Sequence, residues 1–118
     1  MTLTTLVIGD TAALREAAIA TAVDPASSTA LILEGIPDGT SRLDALPFSA
    51  FQIFRIAPGC MCCAGNLTMR VTLNRVLRNR PSRLYIGIAS SGHLTGIRDF
   101  LIQAPYDNLL ELTKDLYA

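Results

Sequence analysis

The three cysteines of the chain lie within four consecutive positions, in the stretch PGCMCCAGN. Gly59 and Gly65 flank them, and glycine lets the backbone turn tightly enough for two or three sulfurs to converge. Thiolates select Zn(II) or Cu(I) over hard ions such as Mg(II). The stretch therefore predicts a site for a thiophilic metal ion, with Cys60, Cys62 and Cys63 as ligands.

Two other uses of the cysteines stay open. Cys60 and Cys63 have the C-x-x-C spacing of thiol redox proteins or redox sensors, with Cys62 as a third thiol. Free cysteine is also among the most buried residue types, so the three side chains could simply belong to a structural scaffold. Metal binding predicts stoichiometric metal uptake with proton release, whereas redox chemistry predicts a reversible disulfide between Cys60 and Cys63.

Further residues could complete or support a metal site. His93, the one histidine of the chain, would turn three cysteines into a Cys3His set, which is a closed tetrahedral zinc arrangement. Glu34 is a second candidate, as an oxygen ligand. The alternative for His93 is a polar loop residue that bonds to backbone or water. Asn66 is expected to cap a helix directly after the cysteines, and the positive end of its dipole, with Arg70 nearby, favours thiolates.

The elements that must position these residues are strands and helices in alternation. Four short apolar runs predict buried strands over residues 5–9, 29–34, 51–57 and 83–89, and nearly continuous apolar runs are typical of parallel strands covered on both faces. We therefore expect one α/β domain over residues 1–118, with an open, mainly parallel sheet flanked by helices. Ligands of such sheets bind beyond the carboxyl ends of the strands, so the cysteines and His93 should share one rim.

Four helical segments are predicted between and after the strands. Asp10 or Thr11 should cap an alanine-rich helix. A second helix should end at Pro81. A short helix at TGIRDFLI and a further helical piece near the C-terminus should follow, with LLELT as an alternative edge strand. The apolar sides of the first two helices are expected to carry Leu14, Ala17, Ala18 and Ala22 in the first and Met69, Leu73, Val76 and Leu77 in the second.

Composition and charge exclude several functions. Ten basic residues balance ten acidic ones, so no overall field favours nucleic acid or an anionic membrane. Arg70, Arg75 and Arg78 spread around their predicted helix without interleaved aromatic residues, as a solvated face does. No apolar stretch reaches the roughly 18 to 20 residues of a membrane span, and the N-terminus does not read as a secretory signal. We expect a cytoplasmic protein with no nucleic-acid or membrane partner.

The stretch GCMCCAGNL, after a predicted strand and before a predicted helix, resembles the C-x-C-C signature of the CobW-like metallochaperone GTPases. The segment up to RLYIGIASSGHLTG is similar to that family in order and spacing. The resemblance implies a P-loop NTPase-like α/β fold and metal ligation by Cys60, Cys62 and Cys63.

The chain departs from that family where nucleotide would bind. A phosphate-binding loop has the form G-x-x-x-x-G-K-[ST], because backbone amides cradle the phosphates while the lysine and hydroxyl meet phosphate and Mg(II). The equivalent GDTAALREA has one glycine, no lysine, and Asp10 and Glu16 as negative charges. Ala89 replaces the family's glutamate, and a guanine-reading motif and the family's C-terminal domain are missing. The resemblance is therefore to a degenerate, truncated relative, from which we expect no GTP hydrolysis and no nucleotide cofactor.

Together these patterns predict a metal-binding carrier, sensor or accessory factor in metal homeostasis. Zn(II) is the foremost candidate, while Cu(I), Co(II) and Ni(II) stay open because geometry and availability decide among them. A metalloprotein client or an intact GTPase relative would be its protein partner. A homodimer that shares metal between two cysteine turns is a further expectation, because three thiolates leave one coordination position open.

Overall fold

A computed structural model describes residues 1–24, 27–35, 51–56, 67–89, 92, 94–103 and 105–118. The described residues form a six-stranded sheet in which every pair is parallel. The strands are β1 (Thr2–Ile8), β2 (Thr29–Glu34), β3 (Phe51–Ile56), β4 (Arg83–Ile88), β5 (Leu110–Leu112) and β6 (Leu116–Tyr117). The helices are α1 (Ala12–Ala22), α2 (Leu67–Arg78) and α3 (Leu94–Leu101), and a 3-10 turn covers Tyr106–Asn108.

The strand order is β3-β2-β4-β1-β5, and β6 also pairs with β1. The register aligns Ile8 with Ile88, and Glu34 with Ile56, so the first four strands end at one rim. The fold is a compact α/β domain with a parallel sheet flanked by helices, which confirms the predicted fold class. The four strands predicted from apolar runs are all present, with ends shifted by at most a few residues.

Helices cover both faces of the sheet. The larger core lies under α2 and α3, and the smaller one lies under α1. In the smaller core, α1 contributes Ile19, which is fully buried together with Val7, Leu31 and Tyr85. None of the described helices is long and apolar enough to cross a membrane.

The predicted apolar side of α2 is confirmed. Met69, Leu73, Val76 and Leu77 are buried in the larger core. The helix ends at Arg78, shortly before Pro81, as expected. Its predicted cap, Asn66, lies outside the described residues.

The predicted apolar side of α1 is wrong. Thr11 does cap the helix, with its hydroxyl accepting from the amide of Leu14, but the side chain of Leu14 is 49% exposed. The residues of α1 that are buried are Arg15, Glu16 and Ile19. The physical reason is that both charged side chains find hydrogen-bond partners at the rim, Arg15 in two backbone carbonyls and Glu16 in Arg55. These partners offset the desolvation of the two charges.

The second helical piece predicted near the C-terminus is also wrong. After α3, the chain makes the 3-10 turn and then forms β5 and β6, so the edge-strand alternative for LLELT holds. Both strands pair with β1: Leu110 lies beside Thr2, and Leu116 lies beside Val7. Pairing with an open strand edge satisfies more backbone groups than an isolated turn of helix would.

Candidate functional site

The four predicted metal ligands lie outside the part of the chain that the structure describes. Cys60, Cys62 and Cys63 belong to residues 57–66, and His93 follows Gly92. Their convergence on a metal ion therefore stays a prediction. Among the described residues, no group of three or more His, Cys, Asp or Glu side chains could hold a metal ion.

The sheet does fix where these segments begin. β3 ends at Ile56, four residues before Cys60, and β4 ends at Ile88, five residues before His93. β2 lies between β3 and β4, so the two strand ends are about 10 Å apart at the usual strand spacing. A four-residue segment can extend at most about 14 Å. The two strand ends from which the segments with the cysteines and His93 continue are therefore closer together than the length of one such segment.

Glu34 ends the strand between these two segments. Its side chain is 1% exposed, and its Oε1 accepts a hydrogen bond of 2.7 Å from the amide of Ala89. The next residue, Gly35, has φ 88° and donates its amide to the carbonyl of Ile56 at 2.9 Å. Glu34 and Gly35 therefore link the end of β2 to the ends of β4 and β3, from which the predicted ligands continue.

Arg15 reaches the same rim from α1. It is 4% exposed, although it is charged. Its Nη1 donates to the carbonyl of Gly9 at 2.8 Å, and its Nη2 donates to the carbonyl of Glu34 at 3.0 Å. Burial lowers the pKa of the guanidinium, while the negative charges of Glu34 and Glu16 act in the opposite direction. Arg15 thus joins the end of β1 to the end of β2.

The guanidinium crosses β4 at a residue without a side chain. A Cβ on Gly87 would lie 3.3 Å from Cδ2 of Leu33 and 4.0 Å from Nε of Arg15. Gly87 is aligned with Val7 on one side and Leu33 on the other. The glycine therefore leaves room for the long Arg15 side chain above the sheet.

A second buried charge of α1 is Glu16, which is 1% exposed. Its two carboxylate oxygens accept from both terminal nitrogens of Arg55, at 3.0 and 3.1 Å, in the forked geometry typical of arginine and carboxylate. Arg55 belongs to β3, whereas Glu16 belongs to the helix after β1. This pair ties α1 to the strand that leads into the cysteine turn.

Sequence reasoning missed the role of Arg15, although a signal was present. Arg15 stands six positions after Gly9, where a G-x-x-x-x-G-K-[ST] loop has its lysine. By the same spacing, Leu14 takes the place of the second glycine and Glu16 that of the hydroxyl residue. Glu16, one of the two negative charges noted in this loop, pairs through its carboxylate with Arg55.

Comparison with known proteins gives one informative match. The chain is 40% identical, over 62 residues, to the zinc chaperone YeiR of Escherichia coli strain K12, a metallochaperone of the CobW family. The match covers 52% of this chain but 19% of the relative, so the chain spans about a fifth of the length of that protein. No protein-family model matches the chain. No solved structure matches it either.

Proposed function

We propose that this protein binds a thiophilic metal ion, Zn(II) foremost, through Cys60, Cys62 and Cys63, with His93 as the fourth ligand. It acts as a carrier, sensor or accessory factor in metal homeostasis, and it does so without hydrolysing GTP. The observation that carries the proposal is the 40% identity to a zinc chaperone in a chain whose cysteines have the C-x-C-C spacing.

The geometry of the rim supports this proposal. β3 and β4, which precede the cysteines and His93 in the chain, lie on either side of β2. Glu34 lies between them and is held by the amide of Ala89. A carboxylate beside cysteine and histidine ligands suits Zn(II), which accepts sulfur, nitrogen and oxygen donors.

The loop after β1 supports the absence of GTP hydrolysis. A P-loop lysine points at phosphate, but the guanidinium of Arg15 donates to two protein carbonyls. The carboxylate of Glu16 follows where a hydroxyl would hold Mg(II). We therefore expect no GTP turnover above background in the purified, metal-loaded protein.

An anaerobic titration of the fully reduced protein tests the metal site. Co(II), then Zn(II) and Cu(I), are added to the wild type and to the double variant Cys62→Ser, Cys63→Ser. We expect a Co(II)-thiolate charge-transfer band that saturates at one metal per chain or per dimer and is displaced by Zn(II). The double variant should lose the charge-transfer band. His93→Ala should bind the metal more weakly but still show the band, because the three thiolates are unchanged.

Absence of a band with any of the metals would contradict the proposal. A reversible disulfide between Cys60 and Cys63, formed without metal at a potential near that of cytosolic glutathione, would instead identify a thiol redox protein. Native mass spectrometry of the metal-loaded protein measures whether the ion is held within one chain or shared by a homodimer. The same loaded protein serves as bait for a metalloprotein client or an intact GTPase relative.

A further inference from the structure

We propose that Arg15 is a built-in positioning residue that holds the metal-binding rim in order without a nucleotide. This inference rests on the proposed metal site and extends it. Arg15 stands at the lysine position of a phosphate-binding loop, but its guanidinium donates to two protein carbonyls, where a P-loop lysine would donate to phosphate. The consequence is a metal affinity that does not depend on GTP.

Two buried residues connect the ends of four strands. Arg15 joins the carbonyl of Gly9, directly after β1, to that of Glu34 at the end of β2. The Glu34 carboxylate then binds the amide of Ala89, directly after β4. The amide of Gly35 binds the carbonyl of Ile56, the last residue of β3. Arg15 therefore ties the end of β1 to the end of β2, and Glu34 with its neighbour Gly35 ties the end of β2 to those of β4 and β3.

The chemistry of this contact requires arginine. A planar guanidinium presents several donors in a fixed fork and can reach two carbonyls at once, whereas an ammonium is a compact, strongly hydrated point charge. A lysine at position 15 could bind the carbonyl of Gly9 or that of Glu34, but not both with good geometry. Burial to 4% exposure also favours the more weakly hydrated guanidinium.

The surroundings are shaped for this side chain. A Cβ on Gly9 would lie 3.1 Å from Cγ of Arg15, which is closer than an ordinary contact. A Cβ on Gly87 would be in ordinary contact with Nε, at 4.0 Å, and in tight contact with Cδ2 of Leu33, at 3.3 Å. Glycines at both positions let the aliphatic part of Arg15 lie close to the backbone of β1 and β4. The backbone at Gly9 therefore packs closely against the aliphatic part of Arg15. The terminal nitrogens of Arg15 donate to protein carbonyls.

The contact would act on the metal through Glu34 and Ala89. Residues that orient ligands without touching the metal typically contribute 10- to 100-fold to its affinity. Without the two hydrogen bonds of Arg15, the end of β2 would be held less firmly. The starting points of the two segments that carry the predicted ligands would then be less well fixed. We therefore expect weaker Zn(II) binding in a protein that still folds.

The test compares four forms of the full chain: wild type, Arg15→Lys, Arg15→Ala and Ile19→Ala. Zn(II) affinity is measured by competition with a chromophoric chelator, with and without Mg-GTP, and stability is measured by urea unfolding of the metal-free protein. Ile19 lies on the same helix and is fully buried away from the rim. It is thus a matched control for general destabilisation.

We expect Arg15→Ala to weaken Zn(II) binding at least about tenfold and to alter the Co(II) absorption spectrum. Arg15→Lys, which keeps the charge, should show a smaller loss of affinity in the same direction and covers the case in which the alanine variant fails to fold. Ile19→Ala should lower stability and leave Zn(II) affinity unchanged. Mg-GTP should change none of these affinities.

Three outcomes would overturn the inference. If the folded arginine variants bind Zn(II) as tightly as the wild type, Arg15 does not position the site, although the proposed function stands. If Mg-GTP strengthens Zn(II) binding by the wild type, the rim is not independent of nucleotide. If the wild type binds no metal, the proposed function fails and this inference fails with it.

Discussion

At the scale of single residues, the rim contains two buried charges whose hydrogen bonds are made to other parts of the protein. Arg15 and Glu16 are neighbours on α1 and are both almost fully buried, yet each meets a different strand end. Arg15 binds the carbonyls of Gly9 and Glu34, and Glu16 binds Arg55. Burial of a charge is tolerated when hydrogen bonds replace its hydration. These contacts explain why two charged residues, and not the neighbouring leucine, face the sheet.

A substitution of Gly9 tests how tightly this corner is packed. A Cβ at this position would lie 2.7 Å from Cβ of Ala118 and 3.1 Å from Cγ of Arg15. The amide of Ala118 is bound to the carbonyl of Ile8 at 2.7 Å, so the contact is hard to relieve. Gly9→Ala should therefore lower the free energy of unfolding by about 1 to 3 kcal/mol, as overpacking does. Urea unfolding of the metal-free protein measures it.

Gly96 provides the matched control for this substitution. It lies within α3, and a Cβ there would have nothing within 4 Å. Gly96→Ala should leave stability unchanged or raise it by up to about 1 kcal/mol, because alanine favours the helix. Equal stability of the two alanine variants would show that the corner at Gly9 is loosely packed.

At the scale of elements, α1 buries one large apolar side chain, Ile19, and two charged side chains, Arg15 and Glu16. Ile19 is fully buried in the smaller core, whereas Leu14 is 49% exposed. Ile19→Ala should lower the free energy of unfolding by about 2 to 4 kcal/mol, through lost burial and the cavity left behind. Leu14→Ala should change it by less than about 0.5 kcal/mol, as surface substitutions usually do. Chemical denaturation of both variants measures the difference.

The result of that comparison also decides which side of α1 faces the sheet. If Leu14→Ala proved as destabilising as Ile19→Ala, the side predicted from the sequence would be the buried one. The assigned rotation of the helix, with Arg15 at the rim, would then be incorrect.

The sequence predicts some elements of this fold better than others. The first four strands and α2 contain runs or stripes of large apolar residues. Such residues become buried whatever their other contacts, so these elements can be predicted from the sequence. In α1, alanine surrounds the helix on several sides, so apolar spacing is a weak signal and the buried ion contacts decide its rotation. Near the C-terminus, Leu110 and Leu112 alternate with Glu111 over a length too short to separate strand from helix; the open edge of β1 decides.

The candidate site shows the same division. The C-x-C-C motif and its place after a predicted strand can be read from residue types and spacing, because thiol chemistry depends on them. The spacing of Arg15 after Gly9 can be read as well, but the contacts of Arg15 and Glu34 cannot, because they depend on which strand ends are neighbours. The order β3-β2-β4-β1 is a property of the sheet and has no local signature in the chain.

At the scale of the whole molecule, the sheet brings chemistry together from distant parts of the sequence. The rim takes Gly9 and Arg15 from the beginning of the chain, Glu34 from the second strand and Ala89 from the fourth. The predicted metal ligands continue from β3 and β4, on either side of β2. A metal ion held there would cross-link two segments that are neighbours only in the folded protein. Metal binding and folding should therefore be coupled.

This coupling predicts that Zn(II) stabilises the wild type and that acid removes the effect. A ligand that binds only the folded state, at a free concentration one hundred times its dissociation constant, adds about 2.7 kcal/mol to the free energy of unfolding. Zn(II) competes with protons for the cysteine sulfurs, so the stability that Zn(II) adds should shrink as the pH falls from 7.5 to 5. Urea unfolding with and without Zn(II), at both pH values, measures it. The double variant Cys62→Ser, Cys63→Ser should gain nothing at either pH, and an equal gain in that variant would place the bound metal away from the cysteine turn.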